Sequence, residues 1–419
     1  VDRRNLEFGC AVMAIGLLAG LAGLATTVLL DFTEHLTYHY SFGSLLDGVT
    51  GSSAIRRAVG PMVGGALAGF GWWLLRRRVV VPTVSEAISR PRPIPRMAMA
   101  IDSLLQVLLV GSGASLGREN APRELAVALG DLGTERWALT ARDREILLGC
   151  AAGAGLAAVY SVPIGGALFA LRVVLRTWNL RAVGTALVTS SFAVAVAAPL
   201  THDRRELAWP DPKLSYLLAA VALVLAPLAL GVGLAFNGIV ARARSHAGVF
   251  GFGSHDSWLI IPAIAAAGLL VGICAHWFPE LPGNGSSILA ISLDSSLTLA
   301  AAASLLILKP LLTAAFLRAG AMGGLLTPAL ATGAAMGAVV ALSINSFTAL
   351  HLDVASVSLA CAAGVLAITQ GTPVWAAIFV WELAQPPGWL LIVFAASSLG
   401  AHGLHRIVMG TCTDQKTTV

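Results

Sequence analysis

The chain has 419 residues, of which 57% are hydrophobic and 12% charged, with a net charge of +5 and a mean hydropathy of +0.80. Soluble domains carry about 25% charged residues, so the composition excludes a soluble globular protein. The small basic excess is assigned to cytoplasmic loops, not to nucleic-acid binding.

The apolar segments are continuous and do not alternate with polar residues, which excludes a β-barrel and predicts a polytopic all-α membrane protein. Phe8–Leu30 is a first span, long enough to cross and without a small-residue cleavage site, so no cleavable signal peptide is expected. Arg57–Leu75 is a second. It ends in Trp72 and Trp73, read as interfacial, and then Arg76-Arg77-Arg78, which marks a cytoplasmic exit and places the N-terminus inside. Thr83–Ser89 is short, and Arg90–Arg96 is a proline-broken basic connection.

Met97–Val110, at about fourteen residues, is too short for an upright span. The stretch Gly111-Ser-Gly-Ala-Ser-Leu-Gly-Arg-Glu-Asn-Ala-Pro122 then opens another short helix, Ala121–Leu132. Half-length helices at membrane depth are tolerated only where they are buried in protein or line a wet cavity. Ile146–Tyr160, Val162–Leu175 and Val183–Leu200 follow, and the polar loop Thr201–Pro212 divides the chain. The second half holds Leu214–Ala241, Trp258–Trp277, Ser286–Leu293 and Leu297–Leu317. A glycine-rich break, Gly320–Pro328, precedes Ala329–Ile344, Val354–Ile368, Val374–Leu383 and Trp389–Leu404. A membrane domain over 1–404, with half-repeats at about 8–200 and 213–404, is thus expected, followed by a polar tail at 405–419 and no cytoplasmic regulatory domain.

The halves repeat. Gly155-Leu-Ala-Ala…Pro163 matches Val365-Leu-Ala-Ile…Pro373, and Phe169 matches Phe379 in the same register, as does Gly23 with Gly233. Leu116-Gly117-Arg118-Glu119 falls opposite Gly323-Gly324-Leu325-Leu326. Paired half-chains with interrupted helices in corresponding places point to a transport site near the bilayer midplane. Helix N-termini aimed there favour an anion.

Ionisable residues inside spans are functional candidates. Asp102 and Lys309 occupy corresponding positions and either pair or, through Lys309, raise the potential of an anion path. Cys10, Cys150, Cys274 and Cys361 read as free core thiols, and no metal-ligand or cofactor-binding pattern is present. No Ser/His or paired-Asp arrangement has a catalytic spacing, so no enzyme is expected. An inverted-repeat transporter of another anion remains the alternative.

Together, Leu116-Gly-Arg-Glu119, Gly323-Gly-Leu-Leu-Thr-Pro328 and Gly155-Leu-Ala-Ala…Pro163…Phe169 resemble the CLC family of voltage-gated chloride channels and chloride/proton antiporters. The resemblance implies an inverted repeat of two half-domains, with broken helices meeting at the membrane midplane. It further implies a homodimer in a bacterial plasma (inner) membrane, with both termini cytoplasmic and chloride or a similar small anion as cargo. Glu119 matches the family's gating glutamate, the alternative being an ion pair with Arg118 or Arg123. Gly117, Arg118, Gly324, Leu325 and Leu326 match its anion pathway, with leucine at the aromatic position. The family's Gly-Ser-Gly-Ile-Pro segment aligns with Arg78–Pro82, so Val79, Val80 and Val81 line the path without the serine hydroxyl. The family's other side-chain ligand, a tyrosine near the end of the last helix, is missing as well, since Leu404–Thr413 contains none. Val173 stands near the acidic proton-relay position, so that relay is missing, and channel and antiporter both stay open.

Overall fold

Apolar runs fold as helices here wherever proline or glycine does not interrupt them. The computed structural model describes residues 3–89, 93–137, 139–201, 215–247, 257–293 and 297–416. Along the first half run α1 (Arg3–Tyr38), α2 (Leu45–Gly51), α3 (Ala54–Arg76), α4 (Val84–Ser89), α5 (Arg96–Gly111) and α6 (Asn120–Thr134). They are followed by α7 (Ala141–Tyr160), α8 (Pro163–Phe169, prolonged by a π turn at Ala170–Val174) and α9 (Leu180–Thr201). The second half holds α10 (Tyr216–Val224), α11 (Ala226–Ala247), α12 (Ile260–Cys274), α13 (Ser286–Leu293) and α14 (Leu299–Arg318). Then come α15 (Leu326–Phe347), α16 (Val354–Gln370), α17 (Pro373–Ala384) and α18 (Leu390–Lys416). Among the described residues, seven helices are long and apolar enough to cross a membrane: α1, α3, α9, α11, α14, α15 and α18.

Some expectations shift. The predicted span Leu214–Ala241 is two helices, because Pro227 has no N–H to continue the ladder of α10. Helix α18 runs on to Lys416, through most of the expected polar tail. Trp72 is fully buried within the protein. Cys150 and Cys361 are buried, but Cys10 is exposed on α1. Residues 202–212 of the predicted dividing loop, and Arg90–Arg92, lie outside the described residues.

Two compact units emerge, one of Val1–Arg205, Ser245–Asn284 and Ala315–Gly324, the other of Glu206–Arg244, Gly285–Ala314 and Leu325–Val419. They do not coincide with the sequence halves, because α12 packs on α3 in the first unit. Small residues permit that contact: a Cβ on Gly268 would meet the Pro61 carbonyl oxygen at 2.2 Å, and one on Gly65 the Ile264 carbonyl oxygen at 2.7 Å. The rest of the first unit gathers α1, α6, α7 and α9 into a core that includes Ile15, Ala19, Ala126, Leu147, Ala154 and Ala158. In the second unit α16 is the central helix, packed on α15, α17 and α18.

Each unit carries the repeat in its details. Helix α7 opens after Thr140, whose side chain accepts from the Asp143 N–H, and α16 opens after Asp353, which accepts from the Ser356 N–H. Both helices close on a left-handed residue, Ser161 (φ 55°) and Gly371 (φ 67°). Pro163 and Pro373 then start α8 and α17, at the first-turn position that needs no N–H. Gly23 abuts Ala158 in the first unit, and its counterpart Gly233 abuts Ile368 in the second.

Candidate functional site

The break between α5 and α6 is held from several sides. Gly113 has φ +110°, and a Cβ there would meet the Tyr38 hydroxyl at 2.0 Å, so only glycine fits the turn. The Tyr38 hydroxyl donates to the Ser112 carbonyl at 3.3 Å, and the Gly283 N–H donates to the Gly113 carbonyl at 3.1 Å. The chain then runs non-helically to Asn120, where α6 begins. The predicted motif therefore ends one helix and opens the next, with a segment of turns and bends between them.

Within that segment, Gly117 and Gly324 pair through both backbone bonds: the Gly117 N–H donates to the Gly324 carbonyl at 2.8 Å, and the Gly324 N–H returns the bond at 2.9 Å. Glu119 is fully buried. Its carboxylate lies against this pair, since a Cβ on Gly117 would fall 2.2 Å from Oε2 and one on Gly324 2.1 Å from Oε1. Both glycines are thus required by the carboxylate's position. The Tyr160 hydroxyl, at the end of α7, approaches Oε2 at 3.4 Å. Arg118 stacks over the Tyr160 ring at 5.1 Å, and Arg123 over the Phe169 ring at 4.8 Å, so two cations flank the Glu119 segment in cation–π contact.

Behind Glu119 lies a polar network that sequence reading missed apart from Asp102. Asp102 is buried on α5; its Oδ1 accepts from the Trp72 indole N–H at 2.7 Å and its Oδ2 from the Gln106 amide at 2.6 Å. The same Gln106 nitrogen donates to Glu124 Oε2 at 2.9 Å, and Gln106 Oε1 accepts from Asn120 at 3.0 Å. Spacing carried a signal: Asp102 and Gln106 are four apart on α5, as are Asn120 and Glu124 on α6, two polar stripes that meet.

The remaining predicted residues are dispersed. Val79, Val80 and Val81 form a non-helical link between α3 and α4, with Val80 63% exposed and Val81 packed on the cluster around Val84, Met99 and Val127. Val173 sits in the π turn after α8, next to Arg172, which stacks over Trp178 at 5.4 Å. In the second unit, Leu325 precedes α15 and buried Leu326 is its first residue. Lys309 is fully buried on α14, beside Gly285.

Comparison with known proteins agrees with this architecture. The family model described as voltage gated chloride channel matches residues 64–404. The voltage-gated ClC-type chloride channel ClcB of Escherichia coli strain SMS-3-5 is 27% identical over 94% of the chain and 95% of its own length. A solved structure of a slow cyanobacterial Cl-/H+ antiporter superposes with a TM-score of 0.79 at 17% identity, covering 95% of both chains. A CLC-type fluoride/proton antiporter gives a TM-score of 0.71 at 18% identity, covering 96% of both. The fold is the one these transporters share.

Proposed function

The chain belongs to the voltage-gated chloride channel family, and from that premise we propose that it carries chloride or a similar small anion across the membrane along a pathway gated by Glu119. The observation that carries the reading is the Glu119 carboxylate lodged against the Gly117–Gly324 backbone pair. A carboxylate is itself an anion, so it competes with the transported ion for one electropositive place. Protonation removes its charge and releases it. Arg118 and Arg123 supply positive potential beside it, and the positive end of the α6 dipole adds to it.

Along this pathway we place Gly117, Arg118, Gly324, Leu325 and Leu326, together with Val79, Val80 and Val81. None of these side chains except Arg118 can bond an anion, so backbone holds the ion. Val173 cannot carry a proton. The protein is read as a homodimer of a bacterial inner membrane with both termini cytoplasmic; Arg76, Arg77 and Arg78 at the end of α3 support that orientation.

Reconstitution in proteoliposomes with imposed chloride and proton gradients tests the proposal. Wild-type protein should pass chloride, and Glu119→Gln should change the rate and flatten its pH response. Absence of anion flux would overturn the function, and an unaltered response in Glu119→Gln would remove that residue from the gate. Proton movement driven by chloride assigns exchange; chloride flux alone assigns conduction.

A further inference from the structure

We propose that Asp102 and Glu124 form a buried proton-binding site, one proton held between two carboxylates, which makes anion flux proton-sensitive independently of Glu119. The two side chains are 4% and 3% exposed, and both accept from the single amide nitrogen of Gln106. That one shared nitrogen, at 2.6 Å from Asp102 Oδ2 and 2.9 Å from Glu124 Oε2, holds the two carboxylates side by side. Among the described residues, neither carboxylate makes an ion pair. Two carboxylates this close, away from water, do not both ionise.

Donor accounting assigns the proton. Gln106 has two amide hydrogens, and both are committed, one to each acid. Asp102 receives two donors, Trp72 on Oδ1 and Gln106 on Oδ2, which suits a charged carboxylate. Glu124 receives one, on Oε2, while its buried Oε1 has no partner. A proton on Glu124 lets it donate to Asp102, which removes one charge from the buried pair. The proton therefore resides on Glu124 and is shared toward Asp102.

Coupling to the gate runs through Arg123, which faces Glu119, Glu124 and Tyr160 at once. Arg76 of α3 also acts electrostatically on Asp102, and its guanidinium is anchored on the Gly320 carbonyl at 2.8 Å. Losing the proton adds a negative charge beside Arg123, so the positive potential that Arg123 presents toward Glu119 falls. Anion occupancy falls with it. The site thus favours flux at low pH and opposes it at high pH, in addition to the titration of the gate.

The inference rests on the transport reading for its effect on flux, but not for the proton itself. Infrared spectroscopy of the purified protein in detergent should show a protonated-carboxyl carbonyl band at neutral pH. Glu124→Gln should lose it, and Asp102→Asn should shift it, as the partner carboxylate disappears. In proteoliposomes, Glu119→Gln should retain a residual rise of flux with falling pH, and Glu119→Gln/Glu124→Gln should lose that rise. Absence of the band in wild type, or a pH-independent flux in Glu119→Gln, would overturn the proposal. If Glu124→Gln fails to fold, Asp102→Asn and the wild-type band carry the test. A present band with no wild-type flux would sink the transport reading and leave the proton site standing.

Discussion

Gly117 and Gly324, from opposite halves of the chain, exchange both of their backbone hydrogen bonds, and the Glu119 carboxylate fills the space in which either would carry a side chain. Alanine at either position puts a methyl group well inside contact distance of the carboxylate oxygens. The carboxylate is the softer partner and must leave. Gly324→Ala and Gly117→Ala are therefore expected to raise flux at neutral pH toward the level of Glu119→Ala, and to add little in the Glu119→Ala background. Proteoliposome efflux rates provide the double-mutant comparison. Additive effects of the two substitutions would mean that the glycines serve something other than the carboxylate.

A pathway built of backbone holds its ion loosely. With Val79 where the family resemblance places a serine, and no tyrosine in Leu404–Thr413, calorimetry is expected to give chloride dissociation constants in the millimolar range or weaker. A hydrogen bond to a charged group contributes about 1.5 kcal/mol, roughly tenfold in affinity. Val79→Ser should recover up to about that factor. Tight chloride binding in the wild type would contradict the placement of Val79 on the path.

The helices that position Glu119 are tied by Asp131. This fully buried side chain on α6 accepts from Arg144 of α7 at 2.7 and 2.9 Å and from Arg96 of α5 at 2.7 Å; Arg96 also pairs with Glu135. Removing the charge leaves two arginines, 13% and 23% exposed, facing a neutral amide. Breaking a buried pair costs about 3–5 kcal/mol, and the partial exposure here favours the low end. Asp131→Asn should lower the melting temperature in detergent, and an unchanged melting curve would show that these pairs add no net stability.

How much of this was legible in the sequence depends on the kind of feature. Long apolar runs and the Pro163/Pro373 register were readable, because both follow from local rules of helix length and proline geometry. Helix α13 was predicted with the bounds it has, Ser286–Leu293. The short α2 was missed although Ser44 and Asp47 form a reciprocal capping box; seven residues ending in glycine carry little periodicity. The burial of Trp72 was not readable, because a tryptophan before an arginine run gives no sign of which way its ring turns; the buried Asp102 carboxylate explains why its indole faces inward. Glu119 was singled out by its motif, but Glu124, near the start of α6, was not. Its burial depends on which face α6 turns to α5, a tertiary fact.

The repeat itself makes a paired prediction. A Cβ on Gly23 would meet the Ala158 Cβ at 2.5 Å, and one on Gly233 the Ile368 Cβ at 2.7 Å. Both contacts join an early helix of their unit to the helix that ends before the shared proline. Forcing extra carbon into such a contact costs about 1–3 kcal/mol. Gly23→Ala and Gly233→Ala should each lower thermal stability by a similar amount, and Ala158→Gly should relieve the first. For the second, Ile368→Ala leaves the clashing Cβ in place, so it should give no comparable relief, whereas Ile368→Gly removes that atom. Differential scanning fluorimetry of the single and double variants separates these cases. If Gly23→Ala is neutral while Gly233→Ala is not, the two contacts are not equivalent, and the shared spacing of the glycines reflects sequence similarity without a common packing role.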